Sequence, residues 1–277
     1  MNPARIVELL DPFLRAPLTP LGSIAIPKDC HSEPAKAGEE PAALSSAQLQ
    51  SISTYIDILI RWNARINLTA IRDPEDIVPR HFGESLFAAR HLFPDGRAAG
   101  RRAAFDTSRG RAALQGRVTS QEQSGASAPE PVANDQRLAT NDVRVADLGS
   151  GAGFPGLPIK LWEPTIALTL IESNHKKAAF LREVTRALTL TDVNIQNARA
   201  ETLTSTFDVV TLRAVEHFQA ILSTAAALVA PTGHLALLIS ATQQDQACAL
   251  LPHFTWSSPA PVPHSRSRIL LIARSGQ

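Results

Sequence analysis

Apolar positions recur along this chain with two different periods. Leu49, Ile52, Ile56, Leu59, Ile60 and Asn63 fall on one face of a 3.6-residue repeat, which predicts a helix running to about Asn63 or Ala64. Ser45 and Gln48 stand three apart just ahead of it, the pattern of a capping box. A second helix is predicted from Asp73 or Pro74, with Asp73 as N-cap and Pro74 at the first position. It continues through Ile77 and His81 to Leu86, and to His91 after a break. Ile6, Leu9, Leu10 and Phe13 mark a shorter helix within residues 1–21. From Val143 the pattern changes to short apolar runs alternating with helical ones. Strands are predicted at 143–148, 166–172, 192–196, 207–212 and 233–239, with a final pair near 253–257 and 268–274. Helices are predicted at 155–162, 174–188, 216–229 and 242–250. Strand and helix alternating at this spacing predict an α/β fold with a doubly wound, mostly parallel sheet of seven strands. Its ligand crevice belongs at the carboxyl ends of the strands.

Two stretches carry no period. Residues 22–43 hold prolines, glycines and charges and read as a linker. Residues 95–141 are rich in Gly, Ala, Arg, Ser, Gln and Pro, and are too long for an ordinary loop in a compact domain. They read as a flexible insertion. The expected organisation is therefore an N-terminal helix and linker (1–44), a helical part (45–94), an arginine-rich insertion (95–141) and a sheet domain (142–277). Between Arg80 and Arg117 lie eight arginines against the three acids Glu84, Asp95 and Asp106. The insertion could thus follow RNA phosphates, or serve only as a spacer.

Composition adds mainly exclusions. Apolar residues make up 44% of the 277, enough for a sizeable core, and the net charge of +1 gives no global field toward nucleic acid or membrane. Cys30 and Cys248 allow at most one bridge, which excludes a disulfide framework and fits a reducing cytosol. The N-terminus lacks a basic region followed by an apolar one, so no signal peptide is expected. No apolar run reaches the ~18 residues needed to span a bilayer.

The chemistry concentrates at Val143 to Gly156, where a short strand breaks into a loop with glycine at every second position. Gly149, Gly151 and Gly153 let a ligand approach the backbone, because glycine lacks Cβ and tolerates positive φ. A helix N-terminus behind the loop would offer free N–H groups. The Asp147 carboxylate is placed to hold a cationic or hydroxyl-bearing ligand. Glu172 ends the second strand, 21 residues after Gly151, where an acid accepts hydrogen bonds from ribose hydroxyls or caps the next helix. Arg199-Ala200-Glu201 follows the third strand and Arg213 the fourth, at the same rim. Read literally, Gly151-x-Gly153-x-x-Gly156 also fits a dinucleotide fingerprint. Asn63 and Asn67 are poor helix residues and read as side chains that fix a loop by hydrogen bonds. His81 and Glu84 could pair on one helical face. No set of ligands at metal-binding spacing occurs, and no nucleophile elbow or P-loop.

Together these pieces resemble the bacterial small-subunit (16S) ribosomal RNA guanine-N7 methyltransferases of the glucose-inhibited-division-B type. The matching residues are Tyr55-x-x-x-Leu59-x-x-Trp62-Asn63-x-x-x-Asn67-Leu68-Thr69 and His81-Phe82-x-Glu84-Ser85-Leu86, then Asp147 to Ile159. Glu172-Ser173-x-x-Lys176-Lys177, Arg199-Ala200-Glu201 and Phe207-Asp208-Val209-Val210-x-x-Arg213-Ala214 complete them. The resemblance covers about residues 45–94 and 143–274. It implies a Rossmann-like, class I adenosylmethionine-dependent methyltransferase with an N-terminal helical extension. It implies S-adenosyl-L-methionine as cofactor, contacted at Gly149, Phe154, Ala200, Glu201 and Arg213, with Glu172 on the ribose; Asp147, Gly151 and Gly153, read from the loop itself, complete the expected cofactor-binding set. It also implies small-subunit ribosomal RNA as partner, a monomer in the cytoplasm, and no membrane. Two departures stand out. Glu84 replaces the usual Asp, and Leu238-Ile239-Ser240-Ala241 lacks the lysine that the family carries after the fifth strand. The long N-terminal stretch and the insertion are foreign to the family.

Guanine N7 is an unprotonated acceptor on the base edge, so methylation there requires no general base and no catalytic residue is expected. The alternative is a nicotinamide-dependent oxidoreductase built on the same glycine loop. It would need a substrate domain with a catalytic Lys, Tyr or His, and the chain after Gly233 is too short for one.

Overall fold

The structure, a computed structural model, describes residues 1–18, 43–94, 143–213 and 218–276. The arginine-rich insertion and most of the linker expected between 22 and 43 lie outside the described residues. So does the start of the helix expected at 216–229.

Among the described residues, five helical segments precede the sheet. Helix α1 (Pro3–Leu14) and α2 (Ser46–Asn63) are followed by α3 (Pro74–Ile77), a π-helical turn (Val78–Gly83) and α4 (Glu84–Leu92), the last three forming one continuous rod. The expected capping box at α2 is present, with Ser45 accepting from the Gln48 backbone and Gln48 reaching back. Asp73 caps α3 through the Glu75 backbone, with Pro74 at the first position. The expected break within this helix is the π turn. It places Gly83 against the Phe13 ring of α1, where a Cβ would stand 2.6 Å from the ring. A larger residue would not let α1 lie so close.

The sheet is built from β1 (Arg144–Leu148), β2 (Ala167–Ile171), β3 (Val193–Gln196), β4 (Phe207–Arg213), β5 (Val229–Ser240), β6 (Phe254–Trp256), β7 (Ala260–Pro261) and β8 (Arg268–Ser275). Helices α5 (Gly156–Trp162), α6 (His175–Ala187), α7 (Phe218–Ala227) and α8 (Gln244–Leu250) lie between strands. The order is β3-β2-β1-β4-β5-β8-β6, with β7 pairing β8 beside this path. Strands β1 to β5 are parallel to their neighbours, and β8 runs antiparallel to β5. The main path has the seven strands the sequence predicts, and the two-residue β7 makes an eighth. No apolar alternation announces β7, because its second residue is a proline that cannot donate to the ladder.

Strand β5 begins four residues earlier than the apolar pattern predicts. Val229 pairs with Phe207 and His234 with Val209, so three extra residues are accommodated between these pairs. Gly233 makes this possible, since a Cβ there would lie 3.0 Å from the carbonyl oxygens of Phe207 and Asp208.

The order reverses between β1 and β4, so the crevice opens at their carboxyl ends. One apolar cluster joins Ile6, Leu10 and Phe13 of α1 and Tyr55, Ile56 and Leu59 of α2 to Leu157 of α5, Phe180 of α6, and Leu168 and Val209 of the sheet. A second cluster fills the other face around Leu212, Leu222, Leu235 and Leu271. The helices before the sheet thus share their core with it. No described helix is long and apolar enough to cross a membrane.

Candidate functional site

The loop after β1 follows from its glycines. Gly149, Gly151 and Gly153 all have left-handed backbones, with φ of 65°, 55° and 85°. L-residues avoid this region by ~1–2 kcal/mol each. Their surroundings differ. A Cβ on Gly153 would strike the Tyr55 hydroxyl and Leu157, and one on Gly156 would strike Leu170 and Asp147. A Cβ on Gly151 would meet nothing nearer than the Gly149 carbonyl oxygen at 3.7 Å. Gly153 and Gly156 are therefore small for packing, whereas Gly151 faces open space.

Asp147 departs from its expected role. It is fully buried, and its carboxylate is occupied by the protein itself. Oδ1 accepts from the Thr211 hydroxyl at 2.9 Å and Oδ2 from the Gly156 backbone N–H at 3.2 Å. The Ser150 hydroxyl donates to the Asp147 carbonyl at 2.8 Å. The carboxylate thus ties β1, β4 and the start of α5 together beneath the loop, closed off from the surface. Burial pushes its pKa up to about 6, against the lowering effect of the Thr211, Gly156 and Ser150 hydrogen bonds and of Arg213.

Glu172 lies immediately after β2. Oε2 accepts from the Gly151 backbone N–H at 2.9 Å, and Oε1 from the Asn174 N–H at 2.8 Å. Asn174 itself caps α6 by accepting from the N–H groups of Lys176 and Lys177. Glu172 therefore joins the glycine loop to the cap of the next helix. Asn197, after β3, donates to the carbonyl oxygens of Glu172 and Ser173. Ala200 is buried and Glu201 exposed in the short 3₁₀ turn that follows β3, beside this rim.

Phe154 enters an aromatic cluster. Its ring stacks on Tyr55 at 5.3 Å and on His81 at 4.8 Å, and meets the edge of Phe82 at 5.1 Å. The peptide between Phe154 and Pro155 is cis. The Tyr55 hydroxyl donates to the carbonyl of Ala152. Burial holds this phenol well above its usual pKa, so it remains a donor. The helical part thereby grips the glycine loop directly.

Arg213 reaches across the crevice rim to the same helical part. Its Nη2 donates to the Arg80 carbonyl at 2.6 Å, to Glu84 Oε2 at 3.0 Å and to His81 Nδ1 at 3.1 Å. An arginine only donates, so His81 Nδ1 accepts and its Nε2–H points to Thr69 Oγ1 at 2.7 Å. Burial, then Arg213, Arg268 and Arg80, push the His81 pKa down to about 3, which keeps the ring neutral. His81 and Glu84 meet through Arg213, where the sequence suggested a direct pair. The Arg213 guanidinium carbon also stands 5.9 Å from the Phe154 ring centre.

Asn63 performs the loop-fixing role read from the sequence. Its Oδ1 accepts from the N–H groups of Leu68 and Thr69, and its Nδ2 donates to the Thr69 carbonyl. Asn67, expected to do the same, is exposed. Sequence reasoning missed Arg268, whose Nη1 lies 3.5 Å from Glu84 Oε2. Only the antiparallel return of β8 brings it there, and no local pattern signals that return.

The residues at the crevice therefore divide into a glycine loop with one open face, an acid at its edge, and an aromatic wall from the helical part joined by Arg213 of β4. This arrangement fits an adenosyl cofactor, since Gly151 leaves room at the backbone and the Glu172 carboxylate beside it retains lone pairs for hydroxyl donors.

The chain matches the family model for rRNA small subunit methyltransferase G over residues 48–99 and 132–260, more than half its length. It is 33% identical over 225 residues to the ribosomal RNA small subunit methyltransferase G of Xylella fastidiosa strain 9a5c, covering 79% of this chain and 84% of that one. Against the protein of the same name from Xanthomonas axonopodis pv. citri strain 306 it is 30% identical over 244 residues, covering 86% and 92%. A Chloroflexus aggregans relative of that name is 33% identical over 198 residues, covering 69% of this chain and 64% of its own. The glycine loop, its edge acid and the helical wall all lie within the matched segments, and the chain belongs to the rRNA small subunit methyltransferase G family.

Proposed function

We propose that this protein transfers the methyl group of S-adenosylmethionine to N7 of a guanine in small-subunit ribosomal RNA. Membership of a methyltransferase family sets aside the nicotinamide-dependent alternative. The observation that carries the cofactor assignment is the open face of Gly151 beside the Glu172 carboxylate. Glu172 would accept from the ribose hydroxyls, Gly149 and Gly151 would let the cofactor lie against the loop, and Ala200 and Glu201 would border its base. Phe154 and Arg213 would wall the side toward the substrate, and Asp147 and Gly153 would hold the loop in shape from beneath.

The cofactor supplies an electrophilic methyl group on a sulfonium. Guanine N7 brings its own lone pair and no proton, so no side chain has to remove one. The acids and histidine at the rim are consistent with this. Asp147 is enclosed by its own partners, and His81 Nδ1 already accepts from Arg213. What remains for the protein is to align nitrogen, carbon and sulfur and to exclude water, which is catalysis by proximity and orientation. In an A-form helix the N7 edge faces a deep, narrow groove, so an unpaired or incompletely assembled RNA is the favoured substrate.

The test is methyl transfer from methyl-labelled S-adenosylmethionine to small-subunit ribosomal RNA lacking its native modifications, followed by nucleoside mass spectrometry. Label in 7-methylguanosine is expected. Label in another nucleoside would refute the N7 assignment, and no label in RNA would refute the substrate.

A further inference from the structure

The cluster around Glu84 carries more positive charge than the cofactor site explains. The Glu84 side chain is 2% exposed and stands within 3.0 Å of Arg213 Nη2, 3.4 Å of Arg80 Nε and 3.5 Å of Arg268 Nη1. One carboxylate thus faces three guanidinium groups, and among the described residues no second acid pairs with any of them. His81, held neutral by burial and then by the same arginines, adds no charge. Within the described cluster two positive charges are left over. The cluster is also incomplete in hydrogen bonds, because Glu84 Oε1 and Arg213 Nε are buried without a hydrogen-bond partner among the described residues.

The excess lies at the surface of the cluster. The Arg213 side chain is 7% exposed, whereas Arg268 is 25% and Arg80 46% exposed. Burial of Glu84 and Arg213 fixes the base, and the two outer arginines present their remaining N–H groups to solvent. Like charges this close repel, and an anion between them would relieve that repulsion.

The position of the cluster selects the anion. Arg213 pairs in register with Leu238 on β5, and Ser240 on β5 pairs with Arg268 on β8. Because β8 is antiparallel, its first residue sits at the rim where the parallel strands end. Glu172 follows β2, and the order β2-β1-β4-β5-β8 puts the Arg268 backbone four strand spacings away, about 19 Å at 4.8 Å per strand, with its side chain reaching back to Glu84 beside Arg213 of β4. The cofactor, lying over β1 and β2, would leave the β5–β8 side to the substrate. A guanidinium pair suits a phosphate, which it meets with parallel N–H donors.

We propose that Arg80 and Arg268, braced by Glu84 and Arg213, bind a phosphodiester of the RNA strand close to the methylated guanine. This rests on the reading of the protein as an RNA methyltransferase. It also bears on the stretch Leu238-Ile239-Ser240-Ala241, which lacks the lysine of the resembled family. Arg268 stands across the ladder from Ser240 in that stretch and supplies a positive charge from the neighbouring strand. Such a contact positions the strand without reading its sequence.

The experiment uses the full chain, transcribed small-subunit ribosomal RNA and a salt series. Arg80→Gln and Arg268→Gln should each weaken RNA binding about tenfold and lower the salt slope by about one. S-adenosylmethionine affinity and the melting temperature report on the cofactor site and the fold, and both should stay near wild type. Arg268→Lys keeps the charge and should keep the salt slope. Should Arg268→Gln melt early, Arg80→Gln decides alone, because Arg80 is half exposed and its loss leaves Glu84 paired with Arg213 and Arg268. Unchanged RNA affinity and slope in both Gln variants would overturn the phosphate site. A loss confined to S-adenosylmethionine affinity would also overturn it and assign the arginines to the cofactor's carboxylate. Methyl transfer by wild-type protein to the same RNA is measured alongside, so a failed site leaves the activity standing, whereas a failed activity removes both.

Discussion

Two glycines of the same loop, Gly151 and Gly153, make opposite demands. Gly151 has a left-handed backbone and an open face, so Gly151→Ala should cost folding only ~1–2 kcal/mol. Its methyl group, and more so the side chain of Gly151→Val, would fill the open face at which we propose the cofactor meets the backbone. Calorimetry should show lost S-adenosylmethionine binding in a folded protein. At Gly153 the space is already filled, since a Cβ there would collide with Tyr55 and Leu157. Gly153→Ala should therefore lower the melting temperature markedly. Glu172→Gln should weaken cofactor binding by ~1–3 kcal/mol, the scale for losing a charge-assisted hydrogen bond. Binding as tight as wild type would leave Glu172 with its bracing role alone. Asp147 and His81 oppose each other in pH. Asp147 has its folded pKa raised to about 6 from 3.8. Between those values the unfolded chain is ionised and the folded one protonated, so its contribution falls as pH rises. His81 has its folded pKa lowered to about 3 from 6.5. Between those values the unfolded chain binds the proton and the folded one does not, so stability rises with pH. From about pH 4 to 6 the two slopes offset, each being ~1.4 kcal/mol per pH unit at most. Asp147→Asn can still accept from Gly156, while the Thr211 hydroxyl turns to the Ala146 carbonyl at 3.3 Å. In this variant denaturant melts should show stability rising more steeply with pH across that window than in wild type. An identical pH profile would mean that Asp147 is ionised throughout.

At the scale of elements, what the sequence reveals depends on how local the cause is. The Ser45–Gln48 cap, the Asp73 cap and the Asn63 clamp each bond within six residues, and each is readable from residue type and spacing. The grip of Tyr55 on Ala152 spans 97 positions, and that of Arg213 on Glu84 spans 129. No periodicity encodes such contacts, which is why Arg213 was readable as a rim residue but its partners were not. Asp147 shows the same limit, because its position at a strand end does not disclose which way its carboxylate points. The Tyr55 contact makes a prediction of its own. Tyr55→Phe keeps the stacking on Phe154 but leaves the buried Ala152 carbonyl without its donor, at a cost of ~1–3 kcal/mol. The melting temperature should fall and cofactor affinity should fall with it, since α2 holds the loop through this hydroxyl. A change in stability alone would mean that the loop keeps its shape without the helix.

Across the whole molecule, the chain before position 95 and the chain after 142 are parts of one core. Gln48 donates to the Leu161 carbonyl, the Trp162 indole to the Phe93 carbonyl, the Trp62 indole to Glu183, and Arg213 to Glu84. Tyr55, Phe82 and Phe154 interleave across the same boundary. Peptide continuity between the two segments is thus not what keeps them in register. The protein should behave as a natural split pair. Residues 1–94 and 143–277, produced as separate polypeptides and mixed, should co-elute and recover S-adenosylmethionine binding, and a new junction placed between them should allow the chain to be opened or rewired there without loss of the site.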